Sequence, residues 1–349
     1  MNIGRLHLRN NVFLAPMAGI TDLPFRTVVR SFGCGLAFTE MISANGLVRG
    51  KEKTFRYLAS SSADRPLGVQ LFGCDPETLA EAARVAEERG ADLLDVNMGC
   101  PVKKVAKTGS GASLMRDPEQ AAAVLRAVRK ASSLPLTVKI RAGWSARQIN
   151  AVEIGRIAEE CGVDAVILHP RTADQGFAGR SDWRLIAALK EDLRIPVIGS
   201  GDVRSPSDAL RMLSETGCDG IMVGRGALGT PWLIGNILSH LSGTETDLPS
   251  LCQREEIIRR HLTLAIDFYG EKVGTRDFRK HLLWYTKGLK GGAQFRQAAG
   301  RISDRDSAWK ALQEYFQHIG EPSMGCTGSG VCRSDAEAET DGSDHGGPM

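Results

Sequence analysis

A repeat of short apolar runs across the first 230 residues constrains this 349-residue chain most. NVFLAPM (11–17), LAFTEM (36–41), PLGVQLF (66–72), DLLDVNM (92–98), PLTVKI (135–140), DAVILH (164–169), IPVIGS (195–200) and DGIMVG (219–224) are continuous rather than alternating in polarity. Strands read that way when both faces are buried, as in parallel sheets covered by helices. Helix signals lie between them: Asp75-Pro76, Asp117-Pro118 and Ser205-Pro206 are cap and first-turn pairs, and Gly90 is a stop. Eight strand–helix units predict an α/β fold, a (β/α)8 TIM barrel, over residues 1–241. A doubly wound open sheet uses the same units. The strand count, the residues at the strand ends and the lack of a GxGxxG after the first run favour the barrel.

From residue 251 the character changes. CQREEIIRRHLTLAIDFYG, TRDFRKHLLWYTKGL and RQAAGRISDRDSAWKALQEYFQHI are helical, aromatic and basic, which predicts a small all-helical domain over 251–319 behind a turn-rich linker at 242–250. Residues 251–320 hold 13 Lys+Arg against 8 Asp+Glu, a balance of +5, within a chain of net charge +3. That asymmetry hints at a polyanionic partner. Arg276, Lys280 and Lys287 fall on one face at helical spacing, with Arg279 and Lys290 adjacent and Trp284 and Tyr285 in the same segment, a pattern that suits phosphate contact. Residues 320–349 are rich in Gly, Ser and acid and are expected to be disordered. Cys326 and Cys332 there lack a supporting ligand cluster. No 18-residue apolar run is present and the N-terminal apolar stretch is too short for a signal peptide, so a cytoplasmic protein off the membrane is expected. Eight scattered cysteines, with Cys34, Cys161 and Cys218 among those beside glycine, suit reduced thiols rather than a disulfide framework.

In such barrels the loops after the strands build the site. Gln70 lies inside the third run, Asn97 near the end of the fourth, Lys139 within the fifth and His169 at the end of the sixth. A buried ammonium needs an anion or loses its proton. Lys139 therefore either pairs with a carboxylate such as Glu40 or faces an electron-rich cofactor. The glycine turns GSGDV (199–203) and GRGAL (224–228), with Arg225, form a candidate phosphate site. His169 is either a strand-end residue bonded to backbone or part of the site. No zinc spacing and no Ser–His–Asp set can be assembled, so no metal is expected. Cys100, in DVNMGCPVKK, is either a packed thiol or a presented one.

Taken in order, APMAGITDLPFR, VQLFG, DVNMGCPVKKVAKTGSGASLM, VKIRAGW, HPRT, GSGDV and VGRGALGTPW resemble the tRNA-dihydrouridine synthases, the bacterial B-type branch most of all, over about residues 3–318. RKHLLWYTKGL resembles that family's helical domain. The resemblance implies an FMN enzyme that uses NADPH to reduce the 5,6 double bond of a tRNA D-loop uridine. It implies Pro16, Met17 and Ala18 beneath the flavin, Gln70 and Lys139 at its polar edge, and His169 beside it. Ser200, Gly201, Asp202, Gly224 and Arg225 would hold the ribityl phosphate. Asn97 would help place the uracil, with Arg171 near the substrate, and Arg276, Arg279, Lys280 and Lys287 would meet the tRNA. Cys100 takes the role of general acid, since a thiol with a reference pKa of about 8.5 stays protonated at neutral pH yet transfers its proton readily. Lys103 and Lys104 follow where an RNA backbone could lie. Two departures stand out: Pro170 where many relatives have Gly, and Ser200 where many have Asn. A monomer is expected.

Three other functions use many of the same residues. An FMN barrel reducing a free pyrimidine or enone would not need the basic helical module. A phosphate-binding aldolase would use Lys139 as a Schiff-base amine and would be colourless. A non-catalytic tRNA-binding protein would not need Cys100.

Overall fold

The structure, a computed structural model, describes residues 1–244 and 247–320. Eight strands form the staves of one sheet: β1 (Val12–Leu14), β2 (Leu36–Phe38), β3 (Leu67–Phe72), β4 (Leu93–Met98), β5 (Leu136–Arg141), β6 (Ala165–His169), β7 (Val197–Ser200) and β8 (Gly220–Val223), and a ninth short strand, Ile42–Ser43, extends it along Leu71–Phe72. Each pairs in parallel with the next, and β8 pairs with β1, so the sheet closes into a barrel. Helices alternate with the strands: α1 (Leu23–Arg30), α2 (Ala44–Val48), α3 (Pro76–Glu88), α4 (Pro118–Ala131), α5 (Ala151–Glu160), α6 (Arg184–Asp192), α7 (Pro206–Thr216) and α8 (Leu233–Leu241). The predicted caps form. Asp75, Asp117 and Ser205 each accept a hydrogen bond from the backbone N–H three residues on, with proline in the first turn.

Side chains alternate across each strand, so the continuous apolar runs serve two different cores. Val69, Leu71, Leu94, Val96, Val138, Ile140, Val166 and Leu168 point outward into the layer between sheet and helices. Phe13, Leu36, Phe38, Leu93, Ala165, Ile167, Ile198 and Met222 fill the barrel's interior. Gly68 has no side chain because a Cβ there would meet the Phe38 ring at 2.6 Å. A short hairpin, Asn2–Ile3 with Leu6–His7, closes the N-terminal end of the barrel, and Ile3 and Leu8 join the interior cluster. Each such buried aliphatic or aromatic side chain contributes about 1.5–3 kcal/mol. Toward the carboxyl ends of the strands the inward positions turn polar: Gln70, Asp95, Asn97, Thr137, Lys139, Arg141, His169 and Ser200.

The C-terminal region contains four helices, α9 (Leu251–Tyr269), α10 (Glu271–Tyr285), α11 (Gly292–Ala299) and α12 (Arg305–Gly320). They have their own core, including Ile258, Leu262, Phe278, Leu282, Phe295, Leu312 and Phe316, which Trp232 of the barrel joins. Gly274 lets α10 cross close to α9, since a Cβ there would meet the Ala265 carbonyl oxygen at 2.6 Å. Gly320, counted with the tail by the sequence reading, closes α12. The rest of the tail, Cys326 and Cys332 included, lies outside the described residues. Among the described residues no helix is long and apolar enough to cross a membrane.

Candidate active site

At the mouth of the barrel, β3, β4 and β5 bring their polar inward residues into register. Gln70 pairs with Asp95, Asp95 with Thr137, and Asn97 with Lys139 across the ladders. One continuous chain of hydrogen bonds results. Thr137 Oγ1 donates to Asp95 Oδ1 at 2.6 Å and Gln70 Nε2 to Asp95 Oδ2 at 2.6 Å. Asn97 Nδ2 donates to Gln70 Oε1 at 2.8 Å, and Asn97 Oδ1 accepts from the N–H groups of Gly99 (3.2 Å) and Cys100 (2.9 Å). The loop carrying Cys100 is thus capped from the strand that precedes it. Beneath it, Gly111 at φ +63° approaches so closely that a Cβ would sit 2.7 Å from the Cys100 carbonyl oxygen.

Cys100 is half-buried, unlike the buried Cys34, Cys161 and Cys218. Burial raises its thiol pKa, while the charges of Arg141 and Lys139 pull the other way. Lys139 lies on the adjacent strand, on the inward face. Burial and then Arg141 lower its pKa to about 8, with Asp95 opposing. Glu40, the partner suggested by the sequence, instead accepts from the Gly19 N–H. The facing carboxylate is Asp95, raised to about 6 by burial against the pull of Thr137, Gln70 and Lys139. Among the described residues no carboxylate lies within 4 Å of the Lys139 ammonium and no protein group bonds it.

His169 is 9% exposed, and burial followed by the charges of Lys139, Arg141 and Arg171 drives its pKa down to about 2, so the ring is neutral. Arg171 Nη1 lies 3.2 Å from Nε2, which makes Nε2 the acceptor and leaves the proton on Nδ1. Arg171 itself is 1% exposed. Its remaining donors go to Ala178 O, Ser181 Oγ, Gly179 O and Asp202. Arg171, expected near the substrate, ties the loop after β6 to the loop after β7. Asp202, at φ 59°, commits its carboxylate to Arg171 and to the Ser181 N–H at 2.8 Å, so only its backbone is free for a ligand.

The adjoining positions form a cradle. Gly201, at φ +107°, faces His169 and Ser181, where a Cβ would clash at 2.7 and 2.5 Å. Gly224 faces Ala15 and Met17 at ordinary contact distance. Ser200 ends β7. Pro16 and Met17 are half-buried at the end of β1 and Ala18 is exposed. Arg225 stands over the Phe177 ring at 4.6 Å. An unbonded cation deep in the mouth, glycine-lined turns after β7 and β8 and an arginine at the rim fit an electron-rich phosphorylated ligand. Among the described residues no three His, Cys, Asp or Glu side chains gather to hold a metal ion.

The basic residues of the helical region divide into two groups. Arg276 is exposed beside Asp277, and Lys287 is exposed beyond the end of α10, so the helical face drawn through 276, 280 and 287 stops at Tyr285. Arg279 instead donates from Nε and Nη2 to Ile302 O at 2.9 and 2.6 Å, and Lys280 donates to Gly19 O. Both, expected to meet tRNA, also bond protein carbonyl oxygens. Lys280 and Tyr269, whose hydroxyl lies 3.1 Å from Asp22 Oδ2, fasten the helices to the loop after β1. A cavity of about 300 Å³ lies between Asp22, Glu40, Tyr57, Tyr269 and Lys280.

Sequence reasoning passed over Arg141, Asp95 and Phe177. Arg141 Nε donates to Gly99 O at 2.7 Å and Nη1 to Thr172 O and Gly176 O, which staples the Cys100 loop to the loop after β6. Its signal was the two-residue spacing from Lys139 in VKIR. Phe177 is 58% exposed at the mouth beside His169, Arg141 and Arg225.

Comparison with known proteins narrows what this geometry serves. The Dihydrouridine synthase (Dus) family matches residues 13–320. A probable tRNA-dihydrouridine synthase of Rickettsia conorii is 40% identical over 92% of this chain and 98% of its own length. tRNA-dihydrouridine synthase B of Pasteurella multocida and of Xanthomonas axonopodis are each 41% identical over 91% of this chain and 96% of their own. Among solved structures, histamine dehydrogenase from Rhizobium sp. 4-9 is similar at a TM-score of 0.57 and 14% identity, over 91% of this chain. The chain spans 63% of that protein, and the similarity bears on the fold alone. The chain belongs to the dihydrouridine synthase family, and the activity this membership supports is that of a tRNA-dihydrouridine synthase.

Proposed function

We propose that the protein reduces the 5,6 double bond of a D-loop uridine in tRNA, with FMN in the barrel mouth and NADPH as reductant, as a cytoplasmic monomer. The observation that carries this reading is the pairing of a half-buried thiol, Cys100, with an unbonded ammonium, Lys139, at neighbouring strand ends. When bound, FMN supplies hydride to C6 of the uracil. Lys139 and Gln70 bind its polar edge, His169 flanks it, Pro16, Met17 and Ala18 form the floor, and Ser200, Gly201, the Asp202 backbone, Gly224 and Arg225 hold the phosphate. Asn97 orients the uracil. Cys100 gives its Sγ proton to C5, the carbon left electron-rich by hydride arrival at C6. Burial keeps that thiol protonated until it is needed, and Arg141 and Lys139 steady the thiolate that remains.

The target base has to leave its stack to reach this depth. Arg276, Lys287, Lys103 and Lys104 are exposed and suited to tRNA phosphates. The docked helical region is what a reductase of free pyrimidines would lack. The test is mass-spectrometric mapping of dihydrouridine in tRNA from a strain deleted for this protein, with and without complementation. Loss of dihydrouridine at one D-loop position, restored by the wild-type chain and not by Cys100→Ala, is expected. Unchanged dihydrouridine, or a purified protein without flavin colour, would overturn the proposal.

A further inference from the structure

Asp95 belongs to no loop and is fully buried, yet it sits where the polar layer of the barrel begins. As a carboxylate it can only accept hydrogen bonds, whereas the N–H groups of Gly99 and Cys100 at the far end of the chain can only donate. Between these fixed ends lie two amides, Gln70 and Asn97, each able to turn either way. Only one arrangement satisfies both ends. Gln70 must present Nε2 to Asp95, which turns its Oε1 to Asn97. Asn97 must then donate from Nδ2, which leaves Oδ1 for the two backbone N–H groups. Reversing either amide places two donors or two acceptors face to face in a buried site, at a cost of about 1–3 kcal/mol.

We propose that Asp95 is a positioning residue for the reaction: by accepting from Thr137 and Gln70 it sets the sense of the Gln70–Asn97 pair and so fixes the loop that carries Cys100. The inference rests on the proposed function for the identity of the reaction. One carboxylate thereby orders both sides of the mouth, the amide of Gln70 on the cofactor side and the thiol loop on the proton-donor side. The groups facing Asp95 are Gln70 from β3 and Thr137 and Lys139 from β5, and Lys139 is the charged one among them. A shorter chain, or an apolar residue in place of Asp95, would leave Gln70 free to turn and Asn97 without a fixed sense, so that only Arg141 and the Ala112 N–H, which donates to Cys100 O at 3.0 Å, would still hold the Cys100 loop in place.

Two shape-conserving variants separate acceptance from charge. Asp95→Asn can keep its Oδ1 toward Gln70 and turn its amide to Thr137, whereas Asp95→Leu accepts nothing. The readout is the amide resonance of Cys100 in full-length protein carrying 15N-cysteine, assigned by its loss in Cys100→Ser. In the wild type this resonance is expected to titrate with a midpoint near 6, where Asp95 takes its proton. Lys139 titrates near 8 and His169 near 2, so neither accounts for that inflection. In Asp95→Asn the inflection should vanish while the neutral-pH position is retained; in Asp95→Leu the resonance should move or broaden. With tRNA as substrate, Asp95→Leu should lower kcat by about 100-fold, the scale of a misplaced reacting group, with little change in KM. A Cys100 amide that stays flat through the Asp95 titration overturns the proposal, as does a wild-type Cys100 resonance in Asp95→Leu. Should the Leu variant not fold, the wild-type titration and its loss in the Asn variant decide alone. If the wild type makes no dihydrouridine but the amide still titrates, the proposed reaction falls and the role of Asp95 stands.

Discussion

Arg26 is a fully buried cation and Lys139 a half-buried one in the barrel mouth, and they are treated in opposite ways. Arg26 is 1% exposed near the junction of barrel and helices. Its guanidinium donates to Asp64 at 3.0 and 2.7 Å, to Ala59 O and to Thr21 O. Lys139, in the barrel mouth, bonds nothing among the described residues and faces Asp95 only at a distance. Even a half-buried charge is costly to leave without partners, which fits an ammonium kept for a ligand. The difference separates polar groups that maintain the structure from polar groups that await a ligand.

The contrast can be broken most severely at Cys100. Cys100→Ala should cut dihydrouridine formation by roughly 10²–10⁴-fold while tRNA binding is retained, read by mass spectrometry of tRNA and by a filter-binding assay. Next is the structural pair: Asp64→Ala strands Arg26 without its carboxylate and should lower the unfolding free energy by about 3–5 kcal/mol in urea titrations. Tyr269→Phe removes one hydrogen bond between the helices and Asp22 and should cost about 1 kcal/mol by the same measurement. Lys139→Met should change unfolding by no more than about 1 kcal/mol, yet weaken flavin retention measured by absorbance after dialysis. The sign of its pH dependence sharpens the point. Lys139 loses its proton near 8 when folded and near the usual 10.5 when unfolded, so wild-type stability should gain on the variant as pH rises between those values. No gain in that window, with a loss only as pH rises past 10.5, would place the ammonium in a stabilising pair and end the distinction from Arg26.

The barrel was legible because its rule is local: eight apolar runs alternating with helices, three of which open on a cap such as Asp117-Pro118 that the sequence announces. The thiol and the lysine were legible for a related reason, since each stands out from its immediate neighbours. What the linear order could not carry was partnership. Arg171 and Arg279 looked like free positive charge, and only folding shows their donors turned inward to carbonyl oxygens and Asp202. Lys280 spans 261 positions to reach Gly19, a contact with no trace in local composition. Asp95 was hidden for the opposite reason. Inside an apolar strand it reads as an exception, and its meaning depends on Gln70 and Thr137 from the flanking strands.

The hairpin at residues 2–7 has a consequence of its own. With Ile3 and Leu8 packed against Phe13, Phe38 and Ile167, the far end of the barrel is stoppered by the chain's first residues. Among the described residues that end is closed, and the polar mouth lies at the other. A ligand at that mouth comes and goes past the rim where Phe177 and Arg225 stand, so those two side chains are placed to meet each arrival and each departure.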